Sequence, residues 1–336
     1  WSMREILSFV PMVPVVLLRL VLLVAVFGLA FVVVVVANLV PLRLRGTFLY
    51  PMRWCGRLVL FAFGYWRIKE EGVAEHGQIS RGIICAAPHV SLLDVFYFAY
   101  RWLPCFVAKK DIRDLPIMGF IGVGMNALFI DRRADAKTKA GYKEAIRTLA
   151  SDPNLPPLLL FPEGTCTNGK ALITFKRGAF EAGVPVLPVC LEYGGGLSPA
   201  AVGRNSGFLF LIRIMFQWSN ELSVRVLPAY SPSEEEREDS LLFAANVQRL
   251  MGESLGVEST RHSLADMLFY QRVVDDELPE DVFQFAFADL YEYFDLRSRE
   301  ERRHFRTVLN HLLGRWSEVD RNSDGYIERD EFYEYS

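Results

Sequence analysis

Pro88-His89-Val-Ser91-Leu-Leu-Asp94 sets an imidazole five residues before a carboxylate. A neutral histidine with one ring nitrogen held by a carboxylate keeps the other nitrogen free to accept a proton, which is the chemistry of a general base. Spacing restricts how such a pair can form. Five residues along an ideal α-helix turn the chain by about 500°, so the two side chains would diverge by some 140°. His89 can meet Asp94 only from a position ahead of the helix, and Pro88 with Ser91 as an N-cap allows that. The same residues also fit a capping box from Ser91 to Asp94 with His89 incidental, and spacing alone does not choose.

Three further groups carry polar chemistry. Phe161-Pro-Glu163-Gly164-Thr165-Cys166-Thr-Asn168 follows an apolar run, and an acid, a glycine and a hydroxyl at a strand end can hold a polar ligand or simply make a turn. Phe129-Ile-Asp131-Arg132 ends another apolar run with a guanidinium suited to phosphate. Asp320-Arg-Asn322-Ser-Asp324-Gly325-Tyr326-Ile-Glu328-Arg-Asp-Glu331 has the calcium-loop pattern. Asp320, Asn322 and Asp324 offer side-chain oxygens, Tyr326 its carbonyl and Glu331 a closing bidentate carboxylate. No second loop of this kind precedes it, so its pairing and any control over catalysis stay open.

These residues need a scaffold, and the pattern between about 80 and 230 supplies one. Ile83–Ala87, Cys105–Ala108, Ala127–Ile130, Leu158–Phe161, Val186–Leu191 and Leu222–Leu227 read as strands. Ser91–Arg101, Ala136–Ala150, Phe208–Trp218 and Leu241–Leu255 read as helices, with an acidic surface connection over Ser231–Ser240. Strands alternating with helices imply an α/β layer architecture with both sheet faces covered. His89 then lies where a strand gives way to a helix, where such folds gather active-site groups. Val184–Val189 reads as core strand.

Ahead of this region, Leu20 to Leu42 holds 23 residues without a charge. As a helix it covers roughly 35 Å, enough for a hydrocarbon core of about 30 Å. Pro41 ends it, and a second apolar stretch over Leu58–Trp66 leaves either a transmembrane helix or a hairpin entering one leaflet. Arg43, Arg45, Arg53 and Arg57 follow closely, which places the rest of the chain in the cytosol by the positive-inside tendency. The expected divisions are 1–66 as membrane anchor, 67–258 as the chemistry-bearing domain and 259–336 as a helical EF-hand region. The 336-residue chain is 51% hydrophobic with a formal charge of −3, which excludes a disordered chain and argues against a nucleic-acid binder. Five scattered cysteines with no CxxC pair favour a reducing compartment over a disulfide framework. A start at Trp1 and an end at Ser336, within a motif, read as a piece of a longer protein.

Taken in chain order, His89-x4-Asp94, the Arg132 block, Glu163-Gly164-Thr165 and Val184-Pro-Val-Leu-Pro-Val189 resemble the glycerolipid acyltransferase superfamily. The likeness is greatest to its lysophosphatidylcholine acyltransferases. Phe161–Asn168 followed by Leu172-Ile-Thr-Phe-Lys-Arg-Gly-Ala-Phe180 carries it, as do Tyr230–Glu236, Phe243–Val247 and Leu255–Val257. It runs from about Arg43 to Asp266, and a C-terminal EF-hand region is also a feature of that branch. The resemblance implies a mixed α/β sheet flanked by helices, and direct transfer from acyl-CoA, the co-substrate, to a lysophospholipid, with lysophosphatidylcholine first among acceptors. It gives His89 and Asp94 the base and its orienting partner, and Arg132, Glu163, Gly164 and Thr165 the acceptor. Lys109, Lys110 and Lys176 are assigned to CoA phosphates, and Ca2+ to the loop.

One departure bears on the acceptor. Superfamily members that use lysophosphatidic acid commonly have arginine after Glu-Gly-Thr, where this chain has Cys166. Loss of that cation weakens a dianionic monoester more than a diester, which favours a head-grouped acceptor. The implied location is a membrane, the endoplasmic reticulum before Golgi or lipid droplet, with the catalytic domain facing the cytosol. Lysophosphatidic acid or glycerol 3-phosphate as acceptor, acetyl-CoA as donor, and a calcium-responsive adaptor on an inactive enzyme fold are the alternatives.

Overall fold

The structure, a computed structural model, describes residues 9–73, 79, 82–131, 134–152, 155–194, 207–267, 269, 291–292 and 296–313. Arg132 and the calcium-loop residues Asp320, Asn322, Asp324, Tyr326 and Glu331 lie outside the described residues.

After a 3₁₀ turn at Val10–Met12, three helices come first: α1 (Val13–Leu39), α2 (Leu42–Leu49) and α3 (Met52–Ala62). There follow β1 (Ile68–Glu71), β2 (Ile83–Ala87), α4 (Leu93–Arg101), β3 (Cys105–Lys109), α5 (Lys110–Arg113), α6 (Pro116–Gly124), β4 (Leu128–Ile130) and α7 (Ala136–Ser151). Then come β5 (Leu158–Leu160), β6 (Ala171–Leu172), β7 (Val186–Gly194), α8 (Gly207–Met215), β8 (Glu221–Val226), α9 (Glu234–Glu238), α10 (Ser240–Leu255), β9 (Glu258–Ser259) and α11 (Arg299–Leu313). Among the described residues, seven strands form one mixed sheet in the order β1-β8-β7-β2-β5-β3-β4. Every neighbouring pair is parallel except β7 with β8.

The six strands expected from sequence all occur in this sheet, with small shifts at their ends. Two elements differ more. β1 reads Ile-Lys-Glu-Glu, too charged to signal a strand; it joins the sheet as an edge, paired in register with β8. The acidic connection contains the short helix α9, started by a Ser233/Glu236 capping box.

Period-two alternation divides the sheet into two apolar layers. Ile83, Cys85, Ala87, Leu158, Leu160, Val186 and Cys190 pack with Phe243, Val247 and Met251 of α10. Ile84, Ala86, Leu159, Leu187, Val189 and Leu191 face the other way, and their layer continues without a break into α4, α3 and α1. The boundary expected at residue 66 therefore falls inside one core.

The apolar N-terminal helix is tied to the domain along its length. Val26, Ala30, Val34 and Ala37 are buried, while Leu17, Leu18, Val21 and Val24 are exposed. Near its start, the Arg19 guanidinium donates to the carbonyls of Gln217 at 2.7 Å and Trp218 at 2.9 Å, and to that of Met215. Toward its end, Phe31 stacks at 4.8 Å on Phe120 of α6. α3 lies so close to α4 that a Cβ at Gly56 would stand 2.7 Å from the Phe96 carbonyl oxygen. Arg53 and Arg57, expected as flanking positive charge, donate to the carbonyls of Tyr100 and Arg101 and of Tyr65 and Trp66.

Candidate active site

β7, β2 and β5 are adjacent and parallel, so their C-terminal ends open on one edge of the sheet. A buried apolar strand must stop where its residues can no longer be covered, and the chain then turns into polar loops. β2 delivers Pro88 and His89 there, after a cis Ala87–Pro88 peptide. β5 delivers Phe161 through Thr167. β7, paired with β2 as far as Ala87 opposite Cys190, runs on to Tyr193. β3 and β4 share this direction and bring Lys109, Lys110 and Asp131 to the same edge.

His89 does precede its helix, and its Nδ1 lies 2.8 Å from Asp94 Oδ2. The same Oδ2 accepts the main-chain N–H groups of Val90 at 2.8 Å and Ser91 at 3.1 Å. Capping and contact with His89, rivals on spacing, are thus two uses of one carboxylate. The remaining oxygen, Oδ1, accepts the Tyr193 phenol. Asp94 has no exposure, whereas the His89 side chain keeps 17%. The Phe161 ring stacks on the imidazole at 3.9 Å and 18°, which fixes its plane. An imidazole that donates from Nδ1 to Asp94 presents Nε2 as a proton acceptor.

Burial acts to lower the His89 pKa, but hydrogen bonds with Asp94 and Cys166 and the Asp94 charge outweigh it, and the result is a rise from 6.5 to about 10. Cys166 is the one cysteine of the five that is not buried. It sits beside the imidazole, within hydrogen-bonding reach of it.

Glu163, which the resemblance assigns to the acceptor, lies behind the His89 turn. Its carboxylate is wholly buried, and Oε2 accepts the His89 main-chain N–H at 2.8 Å. Oε1 accepts Ile173 N at 3.4 Å and Thr167 Oγ1 at 3.5 Å, and Thr167 N donates to the His89 carbonyl at 2.7 Å. Such a carboxylate faces inward and braces the His89 turn. Burial raises its pKa from 4.5 to about 7, against the lowering effect of those donors.

Gly164 has φ +69°, and a Cβ there would meet Lys176 Nζ at 2.2 Å. The Lys176 stem therefore lies across Gly164, and its ammonium joins the loop that carries Thr165 and Cys166. Thr165 is half-buried on this loop. Lys109 is exposed at the end of β3, two strands from β2, and Lys110 Nζ is 3.4 Å from Asp131 Oδ2. Sequence reasoning missed Tyr193 because its strand reads as plain core; a tyrosine just ahead of three glycines at a strand end was the available signal.

The chain is similar to known proteins. Residues 68–192 match the family model described as Acyltransferase. Lysophospholipid acyltransferase LPEAT1 of Arabidopsis thaliana is 34% identical over 254 residues, covering 68% of this chain and 64% of that protein. Lysophospholipid acyltransferase LPEAT2 of the same plant is 30% identical, covering 92% and 58%. Human lysophosphatidylcholine acyltransferase 1 is 32% identical, covering 80% and 49%. The chain thus spans about half to two-thirds of the length of these relatives. Among solved structures, the 1-acyl-sn-glycerophosphate acyltransferase PlsC of Thermotoga maritima superposes with a TM-score of 0.49 at 21% identity, over 71% of this chain and 95% of that one.

Proposed function

From the match of residues 68–192 to the acyltransferase family model, we propose that this protein acylates a lysophospholipid with acyl-CoA as donor and His89 as general base. The observation that carries the reading is the 2.8 Å contact of His89 Nδ1 with Asp94 Oδ2, on an imidazole that keeps partial exposure. His89 Nε2 takes the proton of the glycerol hydroxyl as that oxygen attacks the thioester carbonyl. The C–S bond breaks as the C–O bond forms, and the imidazolium returns the proton to the CoA sulfur. Asp94 holds the ring and stabilises its charged form. Glu163 keeps the His89 turn in place from behind.

Lysophosphatidylcholine is the leading acceptor. Cys166 beside His89 provides no cation for a phosphate monoester, and relatives of this chain are named for lysophospholipids. A second reading, lysophosphatidic acid, is favoured by the Lys176 ammonium lying across Gly164. Lys109 and Lys110, on the same sheet edge, are assigned to CoA phosphates, and Arg132 to the acceptor from its sequence block.

Membrane association follows from α1, which is long and apolar enough to cross a bilayer and leaves one face uncovered. Its packing on α3 and α6 supports a hairpin that seats the domain on one leaflet. Arg53 and Arg57 bind main-chain carbonyls of that domain, so the positive charge and the chemistry occupy one side, which is cytosolic by the charge tendency; the endoplasmic reticulum is the proposed membrane. The hard oxygen donors of Asp320, Asn322, Asp324, Tyr326 and Glu331 suit Ca2+.

Purified protein given a panel of lysolipids and acyl-CoAs, beside His89→Ala, tests the function. We expect transfer to lysophosphatidylcholine and a loss of about 10²–10⁴-fold in the variant. Folded protein without transfer to any acceptor sinks the enzyme reading. Preference for lysophosphatidic acid selects the second one.

A further inference from the structure

We propose that Tyr193 is a positioning residue for the reaction, a third member that holds Asp94 against His89 and sets the basicity of the imidazole. The inference rests on His89 and Asp94 acting as proposed above. Asp94 is the most heavily engaged carboxylate of the site. Three donors converge on Oδ2, namely His89 Nδ1, Val90 N and Ser91 N. Oδ1 receives the Tyr193 hydroxyl. A buried carboxylate with donors on one oxygen only would leave the other oxygen unpaired and would be free to swing about its Cβ–Cγ bond. A donor on each oxygen fixes the plane in which Oδ2 faces the imidazole.

The placement is a product of the sheet. β7 continues beyond the last residue of β2, so a side chain near its end hangs over the start of α4, where Asp94 sits. Tyr193 is seated edge-to-face on Tyr65 at 5.9 Å, and Tyr65 is itself buried in the loop after α3. The Tyr65 carbonyl accepts Arg57 Nη1 at 3.0 Å. The layer carrying the apolar N-terminal helices therefore supports the carboxylate through one aromatic contact. Burial first, then the Asp94 charge, holds the phenol well above its ordinary value, so it is a donor throughout the assay range.

A hydrogen bond to Oδ1 withdraws charge from the carboxylate and tempers its pull on the imidazole. Loss of that bond should misalign Asp94 and strengthen its negative charge, so turnover falls while the imidazole holds its proton to higher pH. Around the His89 ring stand Asp94 from α4 and Cys166 from the loop after β5, with Glu163 of that loop on its main chain; Tyr193 and Tyr65 stand behind Asp94. Glu163 titrates nearby, but it touches the His89 main chain and not Tyr193, so a change at Tyr193 leaves it in place.

The experiment measures kcat, KM and the pH profile of kcat/KM for the full chain with lysophosphatidylcholine and an acyl-CoA. Tyr193→Phe should lower kcat about tenfold, the worth of one hydrogen bond to a charged group, with KM little changed. Its ascending limb should move to higher pH. Replacement of Tyr193 by 3-fluorotyrosine, a stronger donor of nearly the same shape, should move the limb to lower pH. A limb that stays put in Tyr193→Phe overturns the inference whether or not the rate falls, because a merely structural loss does not shift it. Should Tyr193→Phe fail to fold, an unmoved limb in the fluorotyrosine protein does the same. Full activity in His89→Ala instead removes the underlying base, a separate failure.

Discussion

Glu163 Oε2 accepts the main-chain N–H of His89 at 2.8 Å, which makes the second sequence motif a brace for the first. The two lie 74 residues apart and meet because β2 and β5 are parallel neighbours ending at one edge.

That brace has a pH signature. Glu163 titrates at about 7 in the folded protein against 4.5 when exposed, so the folded state binds its proton more tightly. Stability from this source is complete below 4.5 and declines as pH rises to about 7, by about 3 kcal/mol at 1.36 kcal/mol per unit. Glu163→Gln cannot ionise and should show a flatter profile over that window. Thermal unfolding of both proteins at a series of pH values checks this, and parallel profiles refute it.

Asp94 raises the His89 pKa through its hydrogen bond and charge, so under the proposed mechanism the free protein holds a proton that it must shed before His89 acts as base. The kcat/KM of the wild type should rise with pH above 7. Asp94→Asn removes the charge, and its ascending limb should move to lower pH while kcat falls about 10²-fold or more. A limb that stays in place would separate Asp94 from the basicity of His89.

Cys166 is half-buried beside His89, while the other four cysteines are buried. N-Ethylmaleimide should label Cys166 first and block transfer by filling the approach to Nε2. Direct transfer needs no thiol, so Cys166→Ala should keep turnover within about tenfold of the wild type and resist the reagent. A loss as deep as that of His89→Ala would point to a covalent acyl-enzyme.

Arg19 joins the apolar helix to the carbonyls of Met215, Gln217 and Trp218. Arg19→Met keeps the apolar stem and strands those carbonyls, which should cost about 2–4 kcal/mol. Unfolding in detergent reads the loss directly. Unchanged stability would mean that the helix is not docked there.

Local pattern was enough for much of this. Apolar runs of five or so residues bounded by turns gave the six strands, because a sheet covered on both faces needs continuous hydrophobic strands. Ser91 and Asp94 announced a helix start. β1 escaped because its Ile-Lys-Glu-Glu has no apolar alternation; it is a strand through pairing with β8, a contact more than 150 residues away in sequence.

The residue types of the dyad were written in the chain, but the dyad was not. His89 and Asp94 admitted a helix cap or a His–Asp contact, and the path of the chain out of β2, which turns the imidazole back over the helix start, lets one carboxylate make both. Glu163 looked like a ligand because an acid before a glycine is a polar signal; only tertiary packing shows it sealed beneath His89. Tyr193 gave less warning, since its contact with Asp94 spans 99 residues and depends on how far β7 outruns β2. Hydrophobic periodicity is a local property and survives in the sequence. The convergence of three strand ends on the His89–Asp94 pair depends on sheet order, and sheet order is decided by long-range pairing.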